Sequence, residues 1–189
     1  MSIEEPAFTV DLKAEHYEIR KYSANIVAET KIESEFEDAG NRAFRILASY
    51  IFGNNTSKLK IAMTAPVTQK VSDESTSEKI SMTAPVSQIK TSGGYLVQFA
   101  MPHQYTLDSI PKPNDSRVKI VQIPQRKVAV YKYSGSWSES HFEENLKKFK
   151  SDLIKHNIQT IGNPIFARFN SPYQLWFLRR NEIWLEVLK

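Results

Sequence analysis

Lys60-Ile61-Ala62-Met63-Thr64-Ala65-Pro66-Val67 recurs nineteen residues later as Lys79-Ile80-Ser81-Met82-Thr83-Ala84-Pro85-Val86, with seven of the eight positions identical. The copies are too short and too close to be separate modules. Proline removes a backbone donor and fixes φ, so a strand ends or bends at each copy. The expectation is two strands, over 59–64 and 79–83, that share one kind of end and pair across the polar stretch 72–78.

Outward from this pair, the chain alternates apolar and polar residues at Phe8, Val10 and Leu12, at Tyr17 and Ile19, and at Ile26 and Ala28. These read as two or three half-buried strands. Ser34 with Glu37 three residues on forms a capping box for a first helix, which runs to about Phe52 and stops at Gly53-Asn54-Asn55. Further strands are expected over 95–101, 118–123 and 127–133, with the Pro111–Pro113 stretch as a connecting loop. A second helix starts near Ser138 or Ser140, where Ser140 and Glu143 offer another capping box, and runs to about His156. Residues 165–169 then form a strand, and 175–178 with 183–188 a hairpin.

Each half of the chain thus reads strand–helix–strand–strand, about 14–101 and 118–188. The expected fold is a single α+β domain over 1–189, a pseudo-twofold duplicated unit with a curved, barrel-like antiparallel sheet and two main helices. The groove relating the halves is then the natural ligand site. At 189 residues the chain suits one sizeable core. Its 41% hydrophobic and 24% charged residues are those of an ordinary globular protein.

The net charge of +4 is not concentrated in a basic block. Lys147, Lys148, Lys150 and Lys155 interleave with Glu143, Glu144 and Asp152 as a solvated helix face, so no nucleic-acid partner is expected. No apolar run reaches the ~20 residues of a membrane helix, and the acidic start lacks the pattern of a secretory signal. The expected location is cytoplasmic. With no cysteine, disulfides and thiolate ligation of metal or haem are excluded.

The two helices differ in their apolar arcs. Helix two carries a narrow stripe of Phe142, Leu146, Phe149 and Leu153, enough to hold it on a sheet. Helix one has a core stripe of Phe36, Ala39, Gly40, Ala43, Leu47 and Tyr50, and Phe44, Ile46, Ala48, Ile51 and Phe52 widen it to roughly half the circumference. Either a loop (87–94, or the segment after Pro102) packs on the extra face, or Phe44, Ala48 and Ile51 form an exposed platform for a flat ligand. Arg42, Arg45, Lys58 or Lys60 would then stand at its rim to meet carboxylates.

The Lys-Ile-x-Met-Thr-Ala-Pro-Val segment resembles the signature of the SOUL haem-binding family. So do Tyr17-Glu18-Ile19-Arg20-Lys21-Tyr22, Met101-Pro102-His103-Gln104-Tyr105-Thr106-Leu107, Pro111-Lys112-Pro113-Asn114-Asp115 and Arg179-Arg180-Asn181-Glu182-Ile183-Trp184-Leu185, in order. The resemblance implies the same fold, kinship with bacterial multidrug-effector-binding and gyrase-inhibitor-like domains, and haem or another tetrapyrrole bound in a shallow groove along the first helix. Some members carry a candidate axial His after Tyr-Glu-Ile-Arg. Here that place is Lys21, a protonated amine and a poor iron ligand at neutral pH.

Among the four histidines, His103 is the preferred ligand candidate, where a Met-Pro strand enters a loop. His16, His141 and His156 read as strand-end, first-turn and helix-end residues, and Met63, Met82, Tyr17, Tyr22 and Tyr50 as core. No dedicated metal site is expected. Phosphate-loop, dinucleotide, zinc-protease and nucleophile-elbow motifs are absent, so no catalytic residue is assigned. Glu182, Trp184 and Glu186 share one face of the last strand and keep a hydrolase open, although Glu182 more readily pairs with Arg179 or Arg180. The leading expectation is non-enzymatic, reversible binding of haem or a related tetrapyrrole for buffering or transport. The alternatives are an effector-binding module for hydrophobic or planar small molecules, and a hydrolase using Glu182 and Glu186.

Overall fold

In the computed structural model, residues 3–58, 76–170 and 173–188 are described. The elements run β1 (Phe8–Lys13), β2 (Tyr17–Tyr22), β3 (Asn25–Ile32), α1 (Phe36–Ile51), β4 (Asn55–Thr56), β5 (Val86–Thr91), β6 (Gly94–Ala100), β7 (Lys112–Pro113), β8 (Lys119–Ile123), β9 (Arg126–Tyr133), α2 (Glu139–Lys155), β10 (Thr160–Arg168) and β11 (Asn181–Val187). Nine strands form one antiparallel sheet in the order β1-β2-β9-β11-β10-β5-β6-β3-β8, and β4 pairs separately with β7. Read outward from the β5–β10 seam, each side gives the same sequence of parts: a hairpin strand, its partner, then the strand that precedes a helix. That is the expected pseudo-twofold α+β arrangement, curved, with β1 and β8 as open edges instead of a closed barrel.

Both helices lie on one face. α1 packs on β3 and β6 through Phe36, Ala39, Ala43, Leu47 and Tyr50, the stripe its periodicity marks out. α2 covers the other half, with Phe149 against Tyr131 at 5.4 Å and Phe142 against Phe166 at 5.2 Å. Stacked and tilted rings at such distances add roughly 0.5–1.5 kcal/mol each beyond the area they bury. A second cluster, including Tyr22, Val128, Val130, Phe169 and Trp184, sits on the sheet face turned away from the helices.

Several local expectations change. The first copy of the repeated segment and the strand over 59–64 lie outside the described residues. The second copy is not a strand: residues 76–85 run without ladder pairing, and β5 starts only after Pro85, which follows a cis bond. Its backbone bonds go elsewhere, Ile80 N–H to Ile51 O (2.8 Å) and Ala84 N–H to Glu4 O (2.9 Å), and Met82 is exposed, not core. The stretch 87–94, read as a loop, is β5 with its turn into β6. Gln88 is buried there because its Nε2 donates to Phe36 O at 2.8 Å.

Neither capping box forms. Glu35 is the N-cap of α1 without a side-chain bond, and Ser34 Oγ donates to Glu35 O (3.3 Å). Glu37 instead accepts from Glu139 N–H at the start of α2 (3.2 Å), where the helix dipole favours a carboxylate. Ser138, not Ser140, caps α2 by accepting from His141 N–H. Residues 175–178 do not pair as a strand. Trp176–Leu178 is a short 3-10 turn with exposed side chains, and β11 pairs with β10 and β9.

Gly94 has φ +136, and a Cβ there would collide with Ile32 O at the end of β3. Gly93 has φ +81 and open space around it. Gly94→Ala is therefore expected to lower unfolding free energy by roughly 1–3 kcal/mol or more, and Gly93→Ala by less. Urea denaturation of the two variants measures the difference, and equal losses would remove the Ile32 contact from the explanation.

Candidate ligand-binding site

The extra apolar face of α1 is mostly covered. Ile51 is 1% exposed and Ala48 8%, while Phe44 is half-buried with its ring 5.5 Å from Phe99 of β6. The covering residues include Ile80, whose backbone is bonded to Ile51. What stays open on that edge is part of Phe44 and Phe52, which is 60% exposed. At about 100° per residue, Arg45 falls beside Phe52 on this edge, whereas Arg42 lies about 160° round from Phe44. Arg42 reaches back to Glu33 O at 3.5 Å. Lys58 Nζ donates to Leu107 O at 2.8 Å, and Lys60 lies outside the described residues.

His103 belongs to a different place. A cavity of about 510 Å³ opens between the start of β3, the end of β6, the 101–107 segment and an N-terminal strap over 4–7. This volume falls within the ~300–1,000 Å³ of small-molecule sites. Its walls are largely apolar, from Ile26, Ala100, Met101, Pro102 and Leu107, and its charged groups are Glu4, Glu5 and His103. Lys58, held on Leu107 O, stands next to one of these wall residues. The structure therefore brings His103 and Lys58 to one region and leaves Phe44, Arg42 and Arg45 out of the cavity lining.

The strap is tied at both ends. Glu4 O accepts from Ala84 N–H (2.9 Å) and Ala7 O from Ser23 N–H (3.0 Å). Glu5 takes a bidentate pair from Arg180 at 2.8 and 3.1 Å. Glu4 Oε1 accepts both the backbone N–H of His103 (2.6 Å) and a bond from its ring Nδ1 (2.7 Å). These bonds from His103 hold the Glu4 carboxyl below its ordinary pKa, outweighing the largest single influence, partial burial, which pushes it up. Nothing local in the sequence marks Glu4 or Glu5, because their partners lie far along the chain.

The other histidines are differently engaged. His156 Nδ1 shares a 2.9 Å bond with Tyr17 Oη, and His141 Nε2 donates to Ser134 O at 2.9 Å. His16 is exposed, with Glu15 at 3.8 Å. Of the other groups that can ligate haem iron near His103, Met101 is buried in the core and Tyr105 Oη donates to Glu78 at 2.6 Å.

Glu182 is buried on the helix-free face of the sheet and saturated. Its Oε1 accepts from Arg20 and twice from Arg180, and its Oε2 from Arg20 (3.1 Å) and from Trp184 Nε1 (2.7 Å). Arg20, also fully buried, is further bonded to Glu18 and Tyr22. Burial, followed by the neighbouring Glu182 charge, pushes the Tyr22 hydroxyl well above its usual range. Held by two guanidiniums, Glu182 has a structural pairing and no free lone pair aimed at a reactant. Pro6 and Pro85 fill the space beside Tyr22 and Trp184, leaving about 20 Å³ there.

An open antiparallel sheet, two helices on one face and an apolar cavity beside the sheet end define an α+β fold with a hollow of small-molecule size. The chain belongs to the SOUL heme-binding protein family, whose pattern matches residues 3–186. It is 30% identical over 172 residues to human "Heme-binding protein 2", covering 89% of this chain and 77% of that one. The fold is similar to the EcmrR C-terminal domain (TM-score 0.63, 9% identity, 92% and 97% covered). It is also similar to a hydrolase from Listeria innocua (TM-score 0.59, 9% identity, 94% of each).

Removing a buried ion-pair partner strands the charges it held. Glu182→Ala is expected to cost about 3–5 kcal/mol of stability, and Glu186→Ala, on a half-buried residue, about 0.5 kcal/mol. Comparing the two in denaturant melts checks this; a Glu182→Ala protein as stable as the parent would show that the network carries little of the fold.

Proposed function

We propose that this chain binds haem or a related tetrapyrrole reversibly, without chemistry on the ring, for buffering or transport in the cytosol. The observation that carries this reading is membership of the SOUL family, joined to an apolar cavity of about 510 Å³ with His103 at its mouth. The cavity is open to solvent at His103, which suits exchange.

The donor set fits the group. His103 offers a nitrogen ligand, and the apolar walls suit the macrocycle. Of the two acidic residues of the lining, Glu5 is paired with the Arg180 guanidinium, which reduces its repulsion of propionates, and the Glu4 carboxylate is turned onto His103. Lys58, held on Leu107 O beside the cavity wall, would be the cation available to propionates. When bound, haem supplies an iron centre; the chain supplies walls, orientation and one nitrogen.

A second placement is the α1 edge, with the ring on the open part of Phe44 and on Phe52 and with Arg45 as the candidate propionate partner. It is favoured by the exposure of Phe52 and part of Phe44 next to Arg45. The effector-module and hydrolase readings are weaker, since Glu182 is fully paired.

Haemin and iron-free protoporphyrin titrations, read by the Soret band and tryptophan quenching, are expected to saturate at one equivalent. Ala24→Trp, an exposed position on the cavity lining, should weaken both at least roughly tenfold, or about 1.4 kcal/mol, and Phe44→Glu should change neither. The reverse pattern moves the site to the α1 edge. Absence of saturable binding by either ring overturns the reading.

A further inference from the structure

Four histidines can in principle meet iron, and one of them is held as an iron ligand needs to be. Glu4 Oε1 accepts from the backbone N–H of His103 at 2.6 Å and lies 2.7 Å from its Nδ1. A carboxylate only accepts, so the ring proton sits on Nδ1 and the lone pair on Nε2. Nε2 makes no hydrogen bond or ion pair among the described residues, and the side chain is 87% exposed at the cavity mouth. Glu4 in turn is anchored through its own carbonyl to Ala84 N–H. A ligating histidine almost always gives its second ring N–H to a carboxylate or carbonyl in this way, which fixes the ring and raises its basicity.

Among the described residues no group of three or more His, Asp or Glu side chains is placed to hold a bare metal ion. A single oriented imidazole suits a metal whose other ligands come with it, as in an iron porphyrin. The place expected from family members, after Tyr17-Glu18-Ile19-Arg20, holds Lys21.

Resting on the tetrapyrrole reading above, we propose that His103 Nε2 is an axial ligand of haem iron in this chain, with Glu4 as the positioning residue that fixes its tautomer. The N-terminal strap is then part of the iron site. The negative charge behind the imidazole strengthens its donation and favours ferric over ferrous iron, so it lowers the reduction potential.

The test compares the full chain with His103→Ala and Glu4→Gln, using haemin and iron-free protoporphyrin in parallel. His103→Ala should lose at least about tenfold in haemin affinity. Its Soret band and ferric EPR spectrum should change, while protoporphyrin binding stays as in the parent. Added imidazole should restore the parent spectrum to a His103→Gly variant. Glu4→Gln should keep haemin binding and raise the reduction potential. If His103→Ala binds haemin with unchanged spectrum and affinity, His103 is not a ligand and ring binding stands without it. If it weakens both rings equally, His103 acts on the pocket's shape and ligation is overturned. An unchanged potential in Glu4→Gln removes Glu4 from the site. Failure of the parent to bind either ring sinks the tetrapyrrole reading itself, a result separate from all of these.

Discussion

The Glu182 carboxylate, buried on the helix-free face of the sheet, is the interaction on which the rest of the arrangement rests. It joins Arg20 of β2 to β11 across 162 residues of sequence and holds Arg180, which in turn grips Glu5 of the strap. Ion pairs this deep give back little net free energy over apolar residues of equal volume, yet breaking one strands a charge where water cannot reach it. What the network secures is geometry. It fixes where the N-terminal strap crosses, and the strap forms one wall of the cavity and carries Glu4 to His103.

The helix-free face of the sheet is closed by the chain's own side chains. In the space between the halves, Pro6, Pro85, Tyr22 and Trp184 meet and leave almost no volume. The cavity that holds His103 opens at the start of β3 and the end of β6, where the chain turns through Met101–Leu107. The fold likeness at 9% identity therefore says how the strands are ordered, while the side chains decide where a ligand can enter.

Strands with clear alternation were legible in the sequence as strands, as were both helices and the core stripe of α1, because periodicity reports on which face meets a neighbour. Yet β1, expected to be half-buried, is an edge strand with Phe8, Val10 and Leu12 exposed. β5 was not legible, since Gln88 is buried by virtue of bonds to Phe36 and Arg168, distant groups that no local pattern encodes. The repeated motif misled for a related reason: its second copy satisfies its backbone on Ile51 and Glu4 instead of on a ladder. Of the candidate site, His103 was identifiable by residue type, but its carboxylate partner was not, lying 99 positions away. Whether Ala48 and Ile51 were covered or exposed stayed open in the sequence because the residues that cover them, Ile80 among them, are not on their helix.

The chain carries three indoles, and the turn over Trp176–Leu178 sets one of them apart from half-buried Trp137, which donates to Asn181, and from Trp184. Trp176 is 62% exposed and packs edge-on to Phe177, while Trp184 is 4% exposed and donates to Glu182. Emission from the first is red-shifted and open to collisional quenchers such as iodide; emission from the second is shielded in the sheet. A bound chromophore that accepts energy over distance dims all three indoles, whereas a molecule touching only the turn dims Trp176 alone, so the intrinsic fluorescence of this chain carries positional information without any added label.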